Sequence, residues 1–212
     1  MSDITIKVCG MKNAENIFKL AQLPIDIMGF IFYRKSPRYI GDDNRANTIL
    51  HIPNHIQKAG VFVNEDIAAV RNLQEKYNLN IIQLHGSESP EYCRKLHSNS
   101  FHIIKAFQIT PDINFEVLKE YSPYCSYFLF DTPTKLYGGS GNKFSWSILQ
   151  SYNLTTPFFL SGGISENDIT EILTFIHPQL YGIDINSKFE QKPGLKDFTK
   201  VSDFVNKIRN TH

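Results

Sequence analysis

Eight short apolar runs, each followed by a polar stretch with helical spacing, recur along this chain and leave few architectures open to it. The runs read as strands over residues 4–9, 27–33, 58–63, 81–84, 103–107, 127–131, 158–161 and 181–185. Most are continuously apolar rather than alternating, as expected of parallel strands buried on both faces. The stretches between them predict helices over 13–20, 65–77, 89–96, 115–121, 146–150, 166–176 and 197–208, with a less regular one over 43–50. Ile67, Val70, Leu73 and Tyr77 keep the spacing of a single buried helical face. Ser87 and Ser165 stand where N-caps belong, the latter with Asp168 in a variant of the capping box. Spread over eight units, 212 residues allow about 26 each, close to the minimum for strand, helix and return. Strict alternation at that count predicts an α/β fold, a single-domain (β/α)8 TIM barrel over residues 1–212. An open doubly wound sheet is the rival, but it would usually need fewer strands and a glycine-rich turn after the first.

Composition narrows the functional classes. Hydrophobic residues make up 42% of the chain, enough for a sizeable core, and 22 basic residues nearly balance 21 acidic ones. A net charge of +1 gives no long-range field toward nucleic acid or an anionic membrane, so any phosphate must be held by a local site. Three scattered cysteines, Cys9, Cys93 and Cys125, form neither a disulfide framework nor a metal knot. No apolar run approaches the roughly 20 residues of a spanning helix, and the first ten residues lack the pattern of a secretory signal. The expectation is a soluble cytoplasmic protein that binds neither nucleic acid nor membrane.

In a barrel the chemistry gathers at the carboxyl ends of the strands. Cys9 ends the first run and could act as nucleophile or base, for which it would need a depressed pKa; a lone cysteine is more often a small core residue. Asp131 closes the run Tyr127-Phe128-Leu129-Phe130, where a carboxylate must face the mouth or be paired. As an acid it would need a raised pKa, while a capping aspartate is the plainer reading. Ser161-Gly162-Gly163 after strand seven, with Asn186 and Ser187 after strand eight, is a candidate phosphate cradle, because glycine lets backbone amides approach an anion. Gly138-Gly139-Ser140-Gly141 supplies a second glycine-bearing loop after strand six. Arg34, Lys35 and Arg38 could grip a carboxylate after strand two, or could simply be solvated. His85 is the only histidine of seven at a strand end, so no metal constellation emerges.

Taken together, these residues resemble one family. Lys7-Val8-Cys9-Gly10, Gly29-Phe30-Ile31-Phe32 with Lys35-Ser36-Pro37-Arg38, Gly60-Val61-Phe62-Val63 and Gln83-Leu84-His85-Gly86 look like phosphoribosylanthranilate isomerase. So do Asp131 with Gly138 to Gly141, Phe144 with Trp146, Ser161-Gly162-Gly163, and Asp184-Ile185-Asn186-Ser187 followed by Glu190 and Pro193-Gly194-Leu195-Lys196-Asp197. The motifs run in the family's order across nearly the whole chain. The resemblance implies an Amadori rearrangement in tryptophan biosynthesis, with Asp131 as general acid and Cys9 as general base. It further implies Arg38 on the anthranilate carboxylate, and Gly162, Gly163, Asn186 and Ser187 on the phosphate. Gly139 and Gly141 would close nearby, with Asp184 and His85 at the substrate. It implies no cofactor and no metal, a small phosphosugar as the binding partner, and a monomer or homodimer. One departure stands out: Asn186-Ser187-Lys188 replaces the family's usual Ser-Ser-Gly. Asparagine can still donate and lysine adds charge, but loss of the glycine restricts the turn. Two other phosphosugar barrels are alternatives: an epimerase, whose metal ligands are missing, and an indole-forming synthase, to which Lys105 could belong. A non-catalytic phosphosugar-binding module is the alternative of another class, opposed by the presence of both Cys9 and Asp131.

Overall fold

A computed structural model describes residues 4–41, 46–98, 100–133 and 144–210. Strands β1 (Thr5–Val8), β2 (Ile27–Ile31), β3 (Gln57–Phe62), β4 (Ile81–Leu84), β5 (His102–Gln108), β6 (Tyr127–Asp131), β7 (Phe158–Leu160) and β8 (Leu180–Ile185) pair in sequence order. All pairs are parallel, and the barrel closes where Thr5 and Val8 of β1 face Gly182 and Ile185 of β8. The expected (β/α)8 barrel is therefore present.

Helices α1 (Ala14–Leu20), α2 (Ala46–Leu50), α3 (Ile67–Tyr77), α4 (Pro90–Leu96), α5 (Ile169–Thr174) and α6 (Phe198–Arg209) cover the outside. Asn13 caps α1 by accepting the Asn16 amide at 2.9 Å, and Asp66 caps α3 at Ala68. Ser165 donates its amide to Asp168 at 2.7 Å, so the aspartate does fill the capping-box position. The cap of α4 is Ser89 rather than Ser87, whose hydroxyl instead donates to Asn64. Of the helix expected over 43–50, only Ala46–Leu50 lies within the described residues.

Several expected helices are tighter. Phe115–Glu120 and Trp146–Ser151 are 3-10 segments, and 166–176 divides into a 3-10 turn, Glu166–Asp168, and the short α5. In the first two the buried anchors, Phe115 with Leu118 and Trp146 with Leu149, stand three residues apart, the spacing a 3-10 helix stacks on one face. α5 stops at Thr174 because His177 precedes Pro178, which disfavours helical backbone there. A hairpin the sequence reading did not anticipate, β9 (Glu190–Lys192) with β10 (Leu195–Lys196), lies between β8 and α6. Pro193-Gly194 turns it, with Gly194 at φ +84°.

The core has two layers. The larger lies between helices and strands; the smaller fills the barrel with Ile27, Ala59, Ile81, Ile104, Ala106, Leu129 and Phe159. Side chains alternate along a strand, so the residues two and four places beyond these inward ones also point inward, toward the mouth. That parity aims Asp131 of β6, Gln83 of β4 and Ser161 past β7 into the upper barrel.

Candidate active site

At the mouth, Cys9, Ile31, Tyr33, Val61, Gln83, His85, Asp131, Ser161, Gly162, Gly163, Asp184, Asn186 and Ser187 line a cavity of about 650 Å³, counting its solvent-open part. Eight of the expected site residues thus share one wall: Cys9, His85, Asp131, Gly162, Gly163, Asp184, Asn186 and Ser187. Gly139 and Gly141 lie outside the described residues.

Asp131 is held from two sides. Its Oδ1 accepts the amide of Thr132 at 2.8 Å, and its Oδ2 lies 3.2 Å from Nε2 of His85. Gln83 Nε2 sits 2.9 Å from the other ring nitrogen of His85, so β4 supplies a two-residue arm that steadies the carboxylate of β6. Gly162 allows the close approach: at φ +87°, a Cβ there would stand 2.3 Å from Thr132 Oγ1 and 3.0 Å from Asp131 Oδ1. The glycine turn after β7 and the carboxylate of β6 are therefore one packed unit.

Cys9 sits over a buried ion pair. Lys7, two residues earlier and on the same strand face, donates to Asp184 Oδ1 at 2.8 Å, and both are buried. Burial works against the Lys7 charge, but Asp184 and Cys9 more than offset it and hold the ammonium above its ordinary value. For Asp184, burial outweighs Lys7 and pushes the carboxyl up. Burial likewise pushes the Cys9 thiol up, with Lys7 pulling the other way. The depressed thiol expected of a base is thus not what the site provides on its own; Lys7 only moderates the cost of a thiolate. Lys7 drew no role in the sequence reading, although strand parity placed it on the face of Cys9.

Arg38 is tied to the hairpin that follows β8. It is buried, outside the cavity wall, with Nε 3.0 Å from both oxygens of Glu190 and Nη2 at 2.8 Å. Glu190 also binds Lys196 Nζ at 2.7 Å, and Lys196 reaches Asn186 Oδ1 at 2.6 Å. Glu190 and Lys196 both come from the unanticipated hairpin, which is why their roles were not read from the sequence. Lys105 is tied down: its Nζ donates to Gly86 O at 2.8 Å and Ala106 O at 3.0 Å and pairs with Glu88 at 3.1 Å. Among the described residues no group of three or more His, Cys, Asp or Glu side chains could hold a metal ion. None of the described helices is long and apolar enough to cross a membrane.

A closed parallel barrel with a thiol, a carboxylate and a glycine turn around one mouth cavity defines an enzyme of the barrel class. Its family follows from comparison with known proteins. The profile of the N-(5'-phosphoribosyl)anthranilate (PRA) isomerase family matches residues 6–207, and the chain belongs to that family. An N-(5'-phosphoribosyl)anthranilate isomerase from Parabacteroides distasonis is 45% identical over 207 residues, covering 96% of this chain and 92% of the relative. The crystal structure of phosphoribosyl anthranilate isomerase from Thermotoga maritima superposes with a TM-score of 0.87 at 30% identity, covering 98% of this chain and 99% of that one. Another such isomerase, solved in complex with reduced 1-(o-carboxyphenylamino)-1-deoxyribulose 5-phosphate, gives 0.83 at 27% identity, covering 98% and 99%.

Proposed function

We propose that this chain converts N-(5-phosphoribosyl)anthranilate to 1-(2-carboxyphenylamino)-1-deoxyribulose 5-phosphate in tryptophan biosynthesis, as a cytoplasmic enzyme. Membership of the family supports the reading, and so does a solved relative that holds a reduced form of that compound. The observation that carries it is the placing of Cys9 and Asp131 on one cavity beside the Gly162-Gly163 turn.

Asp131 gives a proton to the furanose ring oxygen as the C1–O bond breaks, the aniline nitrogen supplying the electron pair for the Schiff base. Cys9 then takes the C2 proton, and the electrons of that bond move into the imine to give an enolamine. Reprotonation at C1 and loss of the enol proton give the ketone, so the reaction is a net isomerisation that uses acid and base in turn. The Gly162 and Gly163 amides, Asn186 and Ser187 hold the phosphate at the β7–β8 end. Glu190 occupies the Nε and Nη2 edge of Arg38, so an anthranilate carboxylate would take the Nη1 edge. His85 and Gln83 hold Asp131, while Asp184 anchors Lys7 beneath the thiol and borders the substrate's hydroxyls. All these groups come from one barrel, so the scheme runs equally in a monomer or a homodimer.

The test generates phosphoribosylanthranilate in situ and couples its turnover to an indole-glycerol-phosphate synthase. Signal that requires this protein and is lost in Asp131→Asn supports the reaction and the acid. A folded, phosphate-binding protein without signal would return the non-catalytic module to favour.

A further inference from the structure

The hairpin β9–β10 has no part in closing the barrel, yet both of its strands deliver a charged side chain to the edge of the site. Lys196 is fully enclosed. Its backbone is clamped to α1, where Asn16 Oδ1 accepts the Lys196 amide at 2.8 Å and Asn16 Nδ2 donates to Lys196 O at 3.0 Å. Nζ is therefore aimed by a fixed backbone, and it meets Glu190 Oε1 at 2.7 Å, Asn186 Oδ1 at 2.6 Å and Asn186 O at 3.3 Å. Glu190 is itself fixed by Arg38 and by the Gly194 amide, which donates to the same Oε1 at 3.1 Å.

An ammonium can only donate, so the carboxamide atom against Lys196 has to be the oxygen. The Asn186 side chain is thereby locked with its acceptor turned into the protein, and its two N–H donors are left at the other end. No protein acceptor among the described residues takes Nδ2, and Asn186 lines the mouth cavity beside Ser187 and Gly163. Gly10 makes room for this arrangement, since a Cβ there would stand 2.7 Å from Asn186 Oδ1. Asparagine is a side chain with an acceptor end and a donor end. An unlocked carboxamide could present its oxygen to an anion as readily as its nitrogen.

We propose that Lys196 is a positioning residue for the phosphate end of the site, fixing the Asn186 carboxamide with its N–H donors toward the substrate's phosphate and adding a buried positive charge behind it. The proposal rests on the reading of Asn186, Ser187 and the Gly162-Gly163 turn as the phosphate cradle.

Inorganic phosphate as competitive inhibitor, measured beside KM and kcat, tests it. Lys196→Met weakens phosphate inhibition and raises KM about tenfold, the scale of one hydrogen bond to a charged group, with a much smaller change in kcat. In an Asn186→Ser background, whose hydroxyl can present its donor unaided, the same change has a smaller effect, a coupling that general loosening of the hairpin would not produce. Lys196→Gln, which can still donate to Asn186 Oδ1 but carries no charge, falls between wild type and Lys196→Met, and it answers the question if the methionine variant does not fold. Unchanged phosphate inhibition in Lys196→Met or Lys196→Gln overturns the proposal. If Asn186→Ala loses phosphate affinity in that case, the cradle stands and only the role of Lys196 falls. If Asn186→Ala is also without effect, the cradle falls with it.

Discussion

Lys7 Nζ lies 2.8 Å from Asp184 Oδ1 inside the barrel, and the thiol of Cys9 rests on this pair. Gly29 of the neighbouring strand leaves the space in which they meet: a Cβ there would be 2.8 Å from Cys9 Sγ and 3.2 Å from Lys7 Nζ. A buried pair of this kind costs desolvation on both sides, so breaking it from one side is worse than removing it whole.

Lys7→Met should therefore destabilise the protein by about 3–5 kcal/mol, because Asp184 is left buried and unpaired. Lys7→Met with Asp184→Asn should recover most of that loss in thermal melting but little of the lost turnover, since the thiolate still lacks its ammonium. Full recovery of activity in the double variant would remove Lys7 from the chemistry.

The rate should climb with pH on its basic side. Cys9 must be deprotonated to accept a proton, and burial holds its thiol above the ordinary 9.0, so the thiol predominates at neutral pH. Below that raised value, kcat/KM should grow by up to about tenfold per pH unit, wherever Cys9 ionisation is the step that limits it. Stability moves the opposite way: the folded state favours the protonated thiol, so this contribution is present below the unfolded pKa and fades as pH rises toward the folded one. Cys9→Ser should lower kcat by about a hundred- to ten-thousandfold with little change in melting temperature. A serine variant with wild-type turnover would point to another base.

Gly162→Ala should damage both fold and catalysis. At φ +87°, a Cβ would press on Thr132 Oγ1 and crowd Asp131. Backbone strain there costs on the order of 1–3 kcal/mol, and displacement of Asp131 should reduce kcat beyond any loss of phosphate affinity. The check is kcat at saturating substrate, measured well below the variant's melting temperature.

Glu190 makes the acid limb of stability. Burial raises its carboxyl, but Arg38 and Lys196 outweigh this and hold it below the ordinary value. A depressed carboxylate stabilises the fold above its unfolded pKa of about 4.5, and that stability is lost as pH falls through the lower folded value. Lys196, which burial brings down to about 8 against the pull of Glu190, keeps its charge through the same range. Glu190→Gln should therefore be less stable than wild type at pH 7, with the gap closing as acid is added. A constant gap in urea melts between pH 7 and pH 3 would contradict this.

The order of residues is enough to specify the barrel and the positions from which its chemistry can come. Eight apolar runs with helical stretches between them admit little else in 212 residues, and the two-residue alternation of a strand puts Cys9, Asp131 and Asp184 at the mouth once the strand ends are known. The short 3-10 segments and the two- and three-residue strands of the hairpin were not legible, because elements that short have no period to read. Which charges meet is set only when the chain has folded. Lys7 finds Asp184 across 177 residues and Arg38 finds Glu190 across 152, and neither spacing means anything along the chain. The protonation of Cys9 belongs to the same class: a thiol's pKa depends on how much water it loses and which charges lie within a few ångströms, and both are set only when the barrel closes.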